Sequence, residues 1–434
     1  LPDIIVNVPM EDSSILRYGS RGFIKSLNQY YDNSAYYLND VLKAETNLKD
    51  MITMADGNIY VIPRYQKILQ NELGYRMWIY KPWLEKLNLS EPKTLDEFYN
   101  VLKAFKEKDP NGNGLADEIP FIGATSGGEN WFCDFIAAAF QPIDIQSNYL
   151  YPENGKIKAA YVEPEYKEAL KYLNKLCTEG LLSPSSFTSD GAQTRQTIQN
   201  PSGVQVGCFT SMAPTYLINA TDRAEGYDIL APLTQDNGTG YAVYGASIPT
   251  NSFFITKNCQ YPEAAFRLGD IMMSEEMSIW NRFGKKGTDW VEPEEGDHGM
   301  FESMGYKAKI KPILAWGSPQ NSHWQQGAPA YRGYDLACAT VDSGSNIYET
   351  RIAEHLQSYL DKKPKEYITK IIYTEDEINA INEIQQNITS YRKDSVARFI
   401  IGDWDIESGW EDYLKEMKAI GVDEMLDIVQ KAYD

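Results

Sequence analysis

The chain has 434 residues, of which 43% are hydrophobic, so it is long enough for two domains or one large two-lobed unit. Its formal net charge of −20 argues against nucleic acid and against an anionic membrane surface as partners. No run of the sequence approaches the roughly 18 apolar residues needed to span a bilayer, and residues 1–6 show no basic segment or cleavage site of a signal peptide.

Cysteine and histidine usage narrows the possible chemistry. The five cysteines are widely spaced with no C-x-x-C pair, which indicates neither a zinc site nor a dense disulfide framework. The three histidines form no H-E-x-x-H motif, so histidine-based metal catalysis is not expected. The sequence also has no G-x-S-x-G, P-loop or G-x-G-x-x-G motif.

In the first part of the chain, short strands are predicted at residues 2–6, 57–63 and 75–80, with helical spacing over 38–54. A helix with stronger signals follows, because Thr94 and Glu97 form a capping box ahead of an apolar stripe. This helix leads into a polar loop at 109–118 and then into a predicted strand at 119–122.

The polar loop is the most chemically specific stretch of the sequence. Its oxygen-bearing candidates for a calcium ion are the side chains of Asp109, Asn111, Asn113, Asp117 and Glu118 and the backbone carbonyl of Leu115. The first half matches the EF-hand pattern D-x-[DN]-x-[DN]-G, but Pro120 stands where the bidentate Glu would be. The alternative is a metal-free turn, since Asn, Asp and Gly favour turns in any case. A calcium ion here would be structural.

In the remainder of the chain, predicted helices again alternate with predicted strands. An amphipathic helix is predicted at 165–178, strands at 204–209 and 247–256, and one long helix from Pro262 to about Phe283. Residues 284–345 are predicted to be mainly loops. The last ninety residues are predicted to be helical, with a second capping box at Thr374 and a stop at Gly421. Alternating strands and helices predict an α/β fold.

Taken together, several stretches resemble family 1 of the extracellular solute-binding proteins, the substrate-binding lipoproteins of ABC sugar importers, which include the alginate-binding proteins. The stretches that carry this resemblance are residues 1–5, 56–63, 92–98, 109–120, 252–265, 283–287, 399–402 and 410–413. They cover essentially the whole chain in the expected order.

The resemblance implies a two-lobed fold of the periplasmic-binding-protein type (type II), with the ligand held in the cleft between the lobes. We expect lobe 1 at residues 1–72 and 248–335, and lobe 2 at 73–247 and 336–434, with the calcium loop in lobe 2. Chain crossings are expected near 68–76, near 246–252 and between 310 and 340. The resemblance also places the loop's six candidate ligands on the family's calcium positions.

Two departures from the family pattern are visible. The basic residue and Asp that usually precede the tryptophan-leucine pair read Tyr80, Lys81 and Pro82 here. The family also has a strand, a helix and a second strand before the Leu-Pro-Asp-Ile-Ile motif at which this sequence begins. Either the sequence given is truncated, so that lobe 1 lacks this segment here, or lobe 1 is unusually small, and we favour truncation.

Aromatic residues suggest where a sugar would bind, because sugar recognition needs flat apolar faces together with polar groups. The chain has 30 Tyr and 9 Trp against 15 Phe. The predicted ligand-binding residues are Trp131, Trp316, Asn321, Trp324, Tyr331, Arg332 and Arg64. Each tryptophan could instead serve in core packing, and Arg64 could bind either a ligand carboxylate or a structural one.

The favoured hypothesis is a binding protein that captures an oligosaccharide by lobe closure and delivers it to the membrane permease subunits of an ABC importer. The alternative is a glycan-active enzyme, either a calcium-dependent lyase or a glycosidase with two carboxylates. With 61 acidic residues, carboxylate pairs arise by chance and identify no catalytic residue. We expect a monomer without enzymatic activity, held outside the bacterial cytoplasm by a lipid anchor.

Overall fold

In the computed structural model, the chain is described at residues 1–8, 10–212, 223, 225–313, 327–341 and 347–434. The strands of these residues are β1 (Ile4–Val6), β2 (Ile62–Gln66), β3 (Arg76–Tyr80), β4 (Ile119–Ile122), β5 (Leu150–Glu153), β6 (Lys156–Ala159), β7 (Val206–Ser211), β8 (Tyr227–Leu230), β9 (Thr250–Ile255), β10 (Trp290–Val291), β11 (Lys311–Pro312) and β12 (Ala330–Arg332).

The helices of the first half are α1 (Asp12–Ser20), α2 (Asn28–Asn33), α3 (Tyr37–Ala44), α4 (Leu48–Ile52), α5 (Leu69–Glu72), α6 (Lys81–Leu87), α7 (Leu95–Glu107), α8 (Phe132–Ala137), α9 (Pro164–Thr178) and α10 (Gly191–Ile198). Those of the second half are α11 (Pro262–Met272), α12 (Glu275–Phe283), α13 (Tyr334–Ala337), α14 (Ile347–Leu360), α15 (Glu375–Ile401), α16 (Ile406–Ile420) and α17 (Val422–Tyr433). Short 3-10 helices lie at Gly128–Trp131, Ala160–Val162, Pro184–Phe187 and Glu302–Met304.

Two four-stranded sheets organise the fold. The first has the strand order β1-β9-β2-β12, in which only the β2–β12 pair is parallel. The second has the order β4-β7-β3-β8, in which only the β4–β7 pair is parallel. Strand β9 lies between β1 and β2, so the chain returns to the first sheet after it has formed the second. The mixed sheets and their helices confirm the α/β class.

Each sheet has its own buried core. The smaller core combines strands β2 and β9 with helices such as α1, α4 and α11, and includes Ile15, Met51 and Phe266. The larger core combines the second sheet with α7, α9 and the C-terminal helices, and includes Trp78 and Tyr413. The chain passes between the cores more than once, as the resemblance implies. The lobe boundaries predicted at residues 72, 247 and 335 remain a prediction.

The best-signalled helices form where the sequence predicts them. Thr94 and Thr374 both close a capping box, with Glu97 and Glu377 respectively. Helix α16 ends at Gly421, whose φ of 115° suits glycine.

Three elements differ from their predictions. The predicted helix at 262–283 is two helices, because the Ser274 hydroxyl accepts a hydrogen bond from the Met277 amide and starts a new helix. The helical stretch at 38–54 is likewise divided, at Glu45. The strand predicted at 57–63 forms instead at Ile62–Gln66. It continues past Pro63 because a register shift next to β9 accommodates the proline.

None of the described helices combines the length and apolarity needed to cross a bilayer.

Candidate ligand-binding cleft

Strand β2 presents alternate residues to opposite sides of the first sheet. Arg64 and Gln66 line a cavity, whereas Tyr65 between them is 3% exposed and packs in the smaller core. Strand β12 runs parallel to β2 with Arg332 opposite Gln66, and Arg332 Nη2 donates a hydrogen bond to Gln66 Oε1 at 3.0 Å. The strand pair therefore places the side chains of Arg64 and Gln66 at this cavity, with Arg332 buried beside Gln66.

The cavity has a volume of about 200 Å³ and lies where the chain passes between the two cores. One wall is formed by Arg64, Gln66 and Thr250 of the first sheet, and Thr250 is the residue opposite Arg64 in β9. The facing residues include Glu72 and Gln146. The cavity is thus a cleft between the halves of the molecule, with predominantly polar walls.

Glu72 joins the crossing segments behind this cleft. Its carboxylate accepts hydrogen bonds from the hydroxyls of Tyr334 at 2.9 Å and Tyr244 at 3.3 Å, and its carbonyl accepts one from the Gly245 amide at 3.1 Å. Burial, followed by the negative charge of Glu72, raises the pKa of both tyrosines above its ordinary value. Both phenols therefore stay protonated and donate to Glu72, which ties three segments together.

An aromatic pair lies beside the polar walls. The rings of Tyr75 and Trp131 meet edge to face with centroids 4.6 Å apart, and Trp131 is half-buried. Burial raises the pKa of Tyr75, and Gln146, which also lines the cavity, lies close enough to its hydroxyl to oppose that rise. Only the side chains of Tyr75 and Gln146 therefore separate the predicted stacking residue Trp131 from the cavity that Arg64 lines.

A second cavity of about 230 Å³ adjoins the first, since Gln146 and Ile248 line both. Its walls are more apolar and include Ile368, Ile371 and Met425. The cleft thus combines polar and apolar surfaces, which is the combination a sugar ring with its hydroxyls requires.

The predicted ligand residues fall into three groups. Arg64, Arg332 and Trp131 lie at or next to the cleft. Tyr331 lies on the opposite face of β12, where its ring is tilted by 30° against that of Tyr65 with centroids 6.4 Å apart, and it donates a hydrogen bond to Glu45 at 2.8 Å. Trp316, Asn321 and Trp324 lie outside the described residues. All seven remain predictions as ligand contacts.

No role was predicted from the sequence for Gln66, Glu72, Tyr75 or Gln146. For Gln66 a signal was available, because a residue two positions from Arg64 in a strand shares its face. The positions of Glu72 and Gln146 depend on how three distant chain segments meet, and no local pattern records that.

The predicted calcium loop is folded around its own polar groups. The Asp109 carboxylate accepts hydrogen bonds from the amides of Gly112, Asn113 and Gly114, at 2.8, 3.1 and 3.0 Å. The amide groups of Asn111 and Asn113 both donate to Asp117, as does Gln205, and these bonds hold the pKa of Asp117 below its ordinary value.

Glu118 is the part of the loop that fits a cation best. Its Oε1 is buried and has no hydrogen-bond partner. Burial, together with the charges of Asp109 and Asp117, raises its pKa. In the described part of the chain no three carboxylate, imidazole or thiol groups converge as a metal site. A cation here would therefore also need oxygens from Asn111, Asn113 or the Leu115 carbonyl.

Comparison with known proteins places the chain in a family. The model of the family described as "Bacterial extracellular solute-binding protein" matches residues 2–278. The chain therefore belongs to the bacterial extracellular solute-binding proteins. It is 26% identical, over all of its length and 80% of the relative, to the fructooligosaccharide ABC transporter substrate-binding protein FusA of Streptococcus pneumoniae serotype 4. It is also 26% identical, over 99% of its length and 82% of the relative, to lipoprotein LipO of Bacillus subtilis.

Solved structures show the same two-domain fold. The S. pneumoniae FusA complex with kestose has a TM-score of 0.77 at 24% identity, covering 100% of this chain and 88% of that one. An EF-hand mutant of FusA in complex with fructo-nystose gives the same values. An HMO-binding, ABC-transporter-associated solute-binding protein from Bifidobacterium longum infantis has a TM-score of 0.82 at 20% identity, covering 100% of this chain and 87% of that one.

Proposed function

We propose that this protein captures an oligosaccharide in the cleft between its two sheets and delivers it to the membrane permease subunits of an ABC importer. The observation that carries the proposal is the cavity itself, with Arg64 and Gln66 on one wall and Gln146 on the facing side. Contacts from both halves to one ligand would favour the closed arrangement, since a ligand stabilises the state in which it makes more contacts. The names of FusA and of the HMO-binding protein support this ligand class.

Binding accounts for the cleft better than glycoside hydrolysis does. A glycosidase needs two carboxyl groups flanking the scissile bond. Among the described residues that line the polar cavity, Glu72 supplies the single carboxylate, and two tyrosine hydroxyls already bind it. The described residues of the cleft thus offer polar and aromatic contacts and include no pair of carboxylates for this reaction.

We further propose that the loop at 109–118 binds a structural calcium ion. Its ligands would be Asp109, Asn111, Asn113, Asp117 and Glu118 with the Leu115 carbonyl, and the buried, unpaired Glu118 Oε1 supports this. The ion would neutralise the carboxylates of the loop and hold the end of α7 to strand β4. The EF-hand of FusA is a parallel in a relative.

The proposed setting is extracytoplasmic, with a lipid anchor at the bacterial cell surface and a monomeric binding protein. The family description and the lipoprotein LipO support this location.

The test passes a mixed pool of oligosaccharides over the immobilised protein and analyses the retained and unretained fractions by mass spectrometry. We expect intact oligosaccharides to be retained and later eluted. Shortened or unsaturated products in the unretained fraction would instead establish the glycan-active enzyme. A pool that passes unchanged and unretained would contradict both.

A further inference from the structure

Resting on the proposed function, we propose that Glu72 binds the ligand directly and couples this contact to lobe closure. One carboxylate oxygen, Oε1, accepts a hydrogen bond from a hydroxyl of the bound oligosaccharide, while the other, Oε2, holds the tyrosines of two other crossing segments. Glu72 is thus an additional ligand-binding residue of the cleft. The ligand group at this position is a free hydroxyl and not a carboxylate or an ether oxygen.

The two oxygens of the Glu72 carboxylate have different partners. The hydroxyls of Tyr334 and Tyr244 both donate to Oε2, at 2.9 and 3.3 Å. Among the described residues none donates to Oε1, and this oxygen is not fully buried. A carboxylate has about four lone-pair sites, and the tyrosines use those on Oε2. Oε1 is therefore the acceptor that remains for a further donor.

The position of Glu72 makes a ligand the source of that donor. Glu72 lines the polar cavity together with Arg64, Gln66 and Gln146. It is 3% exposed and thus poorly solvated, and a hydrogen bond to a charged acceptor is strong in such surroundings. A sugar carries several hydroxyl donors, whereas a ligand carboxylate is an acceptor and would be repelled. The carboxylate of Glu72 therefore selects a hydroxyl.

The contacts of Glu72 continue into the smaller half of the molecule through Tyr334. Lys67 Nζ lies 4.7 Å from the ring centroid of Tyr334 and 3.1 Å from Oε2 of Glu45. Glu45 follows the last residue of α3, a helix that packs in the smaller core. Side-chain contacts thus run without a break from this core to the Glu72 carboxylate.

The contacts also continue into the larger half, through Tyr244. Lys363 Nζ lies 4.3 Å from the ring centroids of both Tyr244 and Tyr367. Tyr244 belongs to the larger core, and Tyr367 packs against it. A ligand hydroxyl on Oε1 would fix the orientation of the Glu72 carboxylate and with it the tyrosine contacts on Oε2. The ligand thereby favours the arrangement that holds both halves, since a ligand shifts an equilibrium by its differential contacts.

The experiment is a calorimetric titration with four neutral trisaccharides: kestose, maltotriose, cellotriose and xylotriose. The sugar that binds the wild-type protein most tightly is then titrated into each variant. Glu72→Ala removes both oxygens, so we expect its Kd to be higher by about 10- to 100-fold, as for the loss of hydrogen bonds to a charged group. Should this variant fail to fold, Glu72→Gln keeps the shape of the side chain and should still raise the Kd by at least about 3-fold.

A tyrosine double variant separates the ligand contact from the hinge. Tyr244→Phe combined with Tyr334→Phe removes both hydrogen bonds to Oε2 and leaves Oε1 in place, so the Kd should rise by only about 2- to 10-fold. Added to Glu72→Ala, the same two changes should alter the Kd by less than about 2-fold, because the tyrosines act through Glu72. The matched control is Glu263→Ala, which removes a 57% exposed carboxylate on α11 and should leave the Kd unchanged.

The outcomes separate this inference from the proposed function. A Kd that rises no more in Glu72→Ala than in the tyrosine double variant would show that Glu72 makes no ligand contact. Additive effects of the glutamate and tyrosine changes would contradict the coupling. If none of the four sugars binds the wild-type protein, the hydroxyl contact is overturned, whereas retention of other oligosaccharides from the mixed pool would still support the proposed function.

Discussion

Lys370 Nζ lies 2.8 Å from Asp12 Oδ2, and this ion pair joins the two halves of the molecule. Asp12 begins helix α1, which packs in the smaller core, whereas Lys370 follows Ile368 of the larger core. The two side chains are 27% and 12% exposed, so solvent screens the pair only partly. Asn251 also donates to Asp12 at 3.1 Å, which holds the carboxylate in place.

Removing this pair should weaken ligand capture. With Asp12→Asn the closed arrangement loses a contact between the halves, so we expect the Kd of a bound oligosaccharide to rise by about twofold to tenfold. The control is Asp40→Asn, which breaks an ion pair with Lys43 that is 72% and 76% exposed. An unchanged Kd in the Asp12 variant would show that the pair plays no part in closure.

Calcium removal should lower the thermal stability of the protein. A ligand present at about 100 times its Kd stabilises the folded state by about 2.7 kcal/mol, so a chelator should lower the Tm by several degrees, and added calcium should restore it. In Glu118→Gln this response should be strongly reduced. A Tm that does not respond to the chelator in the wild-type protein, with no metal found by elemental analysis, would exclude the ion.

Tryptophan substitutions should identify the stacking surface. Trp131→Ala removes the ring that packs on Tyr75, and we expect a loss of about 1–3 kcal/mol in binding. We expect a similar loss for Trp316→Ala or Trp324→Ala. Trp280→Ala, at a 41% exposed position on α12, is the control. If all three variants bind as the wild-type protein does, the sugar stacks elsewhere.

The pair of His355 and Asp228 should make stability depend on pH. Their side chains lie 3.2 Å apart; the bond to Asp228 raises the pKa of His355, and His355 helps to lower that of Asp228. The stability that protonated His355 contributes is fully present below the pKa of histidine in the unfolded chain, about 6.5. It is lost as pH rises through the raised pKa of the folded state. The stability that ionised Asp228 contributes is present above about pH 4, and it is lost as pH falls through the lowered pKa of the folded state.

We therefore expect His355→Gln to destabilise the protein most at pH 5 and less at pH 8. At pH 5 the free energy of unfolding of the variant should be lower than that of the wild-type protein by on the order of 1 kcal/mol. Urea unfolding at pH 5 and at pH 8 measures it. His298→Gln, at a 69% exposed side chain, serves as the control. Equal destabilisation by His355→Gln at pH 5 and pH 8 would rule out a charged His355 as the source.

The sequence predicted those elements whose causes are local. The capping boxes at Thr94 and Thr374 and the stop at Gly421 each depend on residues within one or two turns of helix. The division at Ser274 was not predicted, although serine favours an N-cap over a helix interior and two glutamates follow it. The bond from the Met277 amide to the Ser274 hydroxyl shows that a new helix starts there.

The cleft was predicted only in part, for a related reason. Arg64 follows from its place next to a strand in the family pattern. Glu72 acquires its role from Tyr244 and Tyr334, which lie 172 and 262 positions away in the chain. Such partners become visible when the fold is known, since neither periodicity nor spacing encodes a contact over that distance.

Strand β2 also suggests how ligand preference could change during evolution. Positions 64 and 66 face the cavity, whereas position 65 is sealed into the smaller core. An exchange at 64 would alter the chemistry of the wall without removing a core side chain, so this position is more open to selection. An exchange at 66 would in addition remove the acceptor of the buried Arg332 side chain. Proteins that descend from one such ancestor could thus differ in the ligand they bind while keeping the same fold.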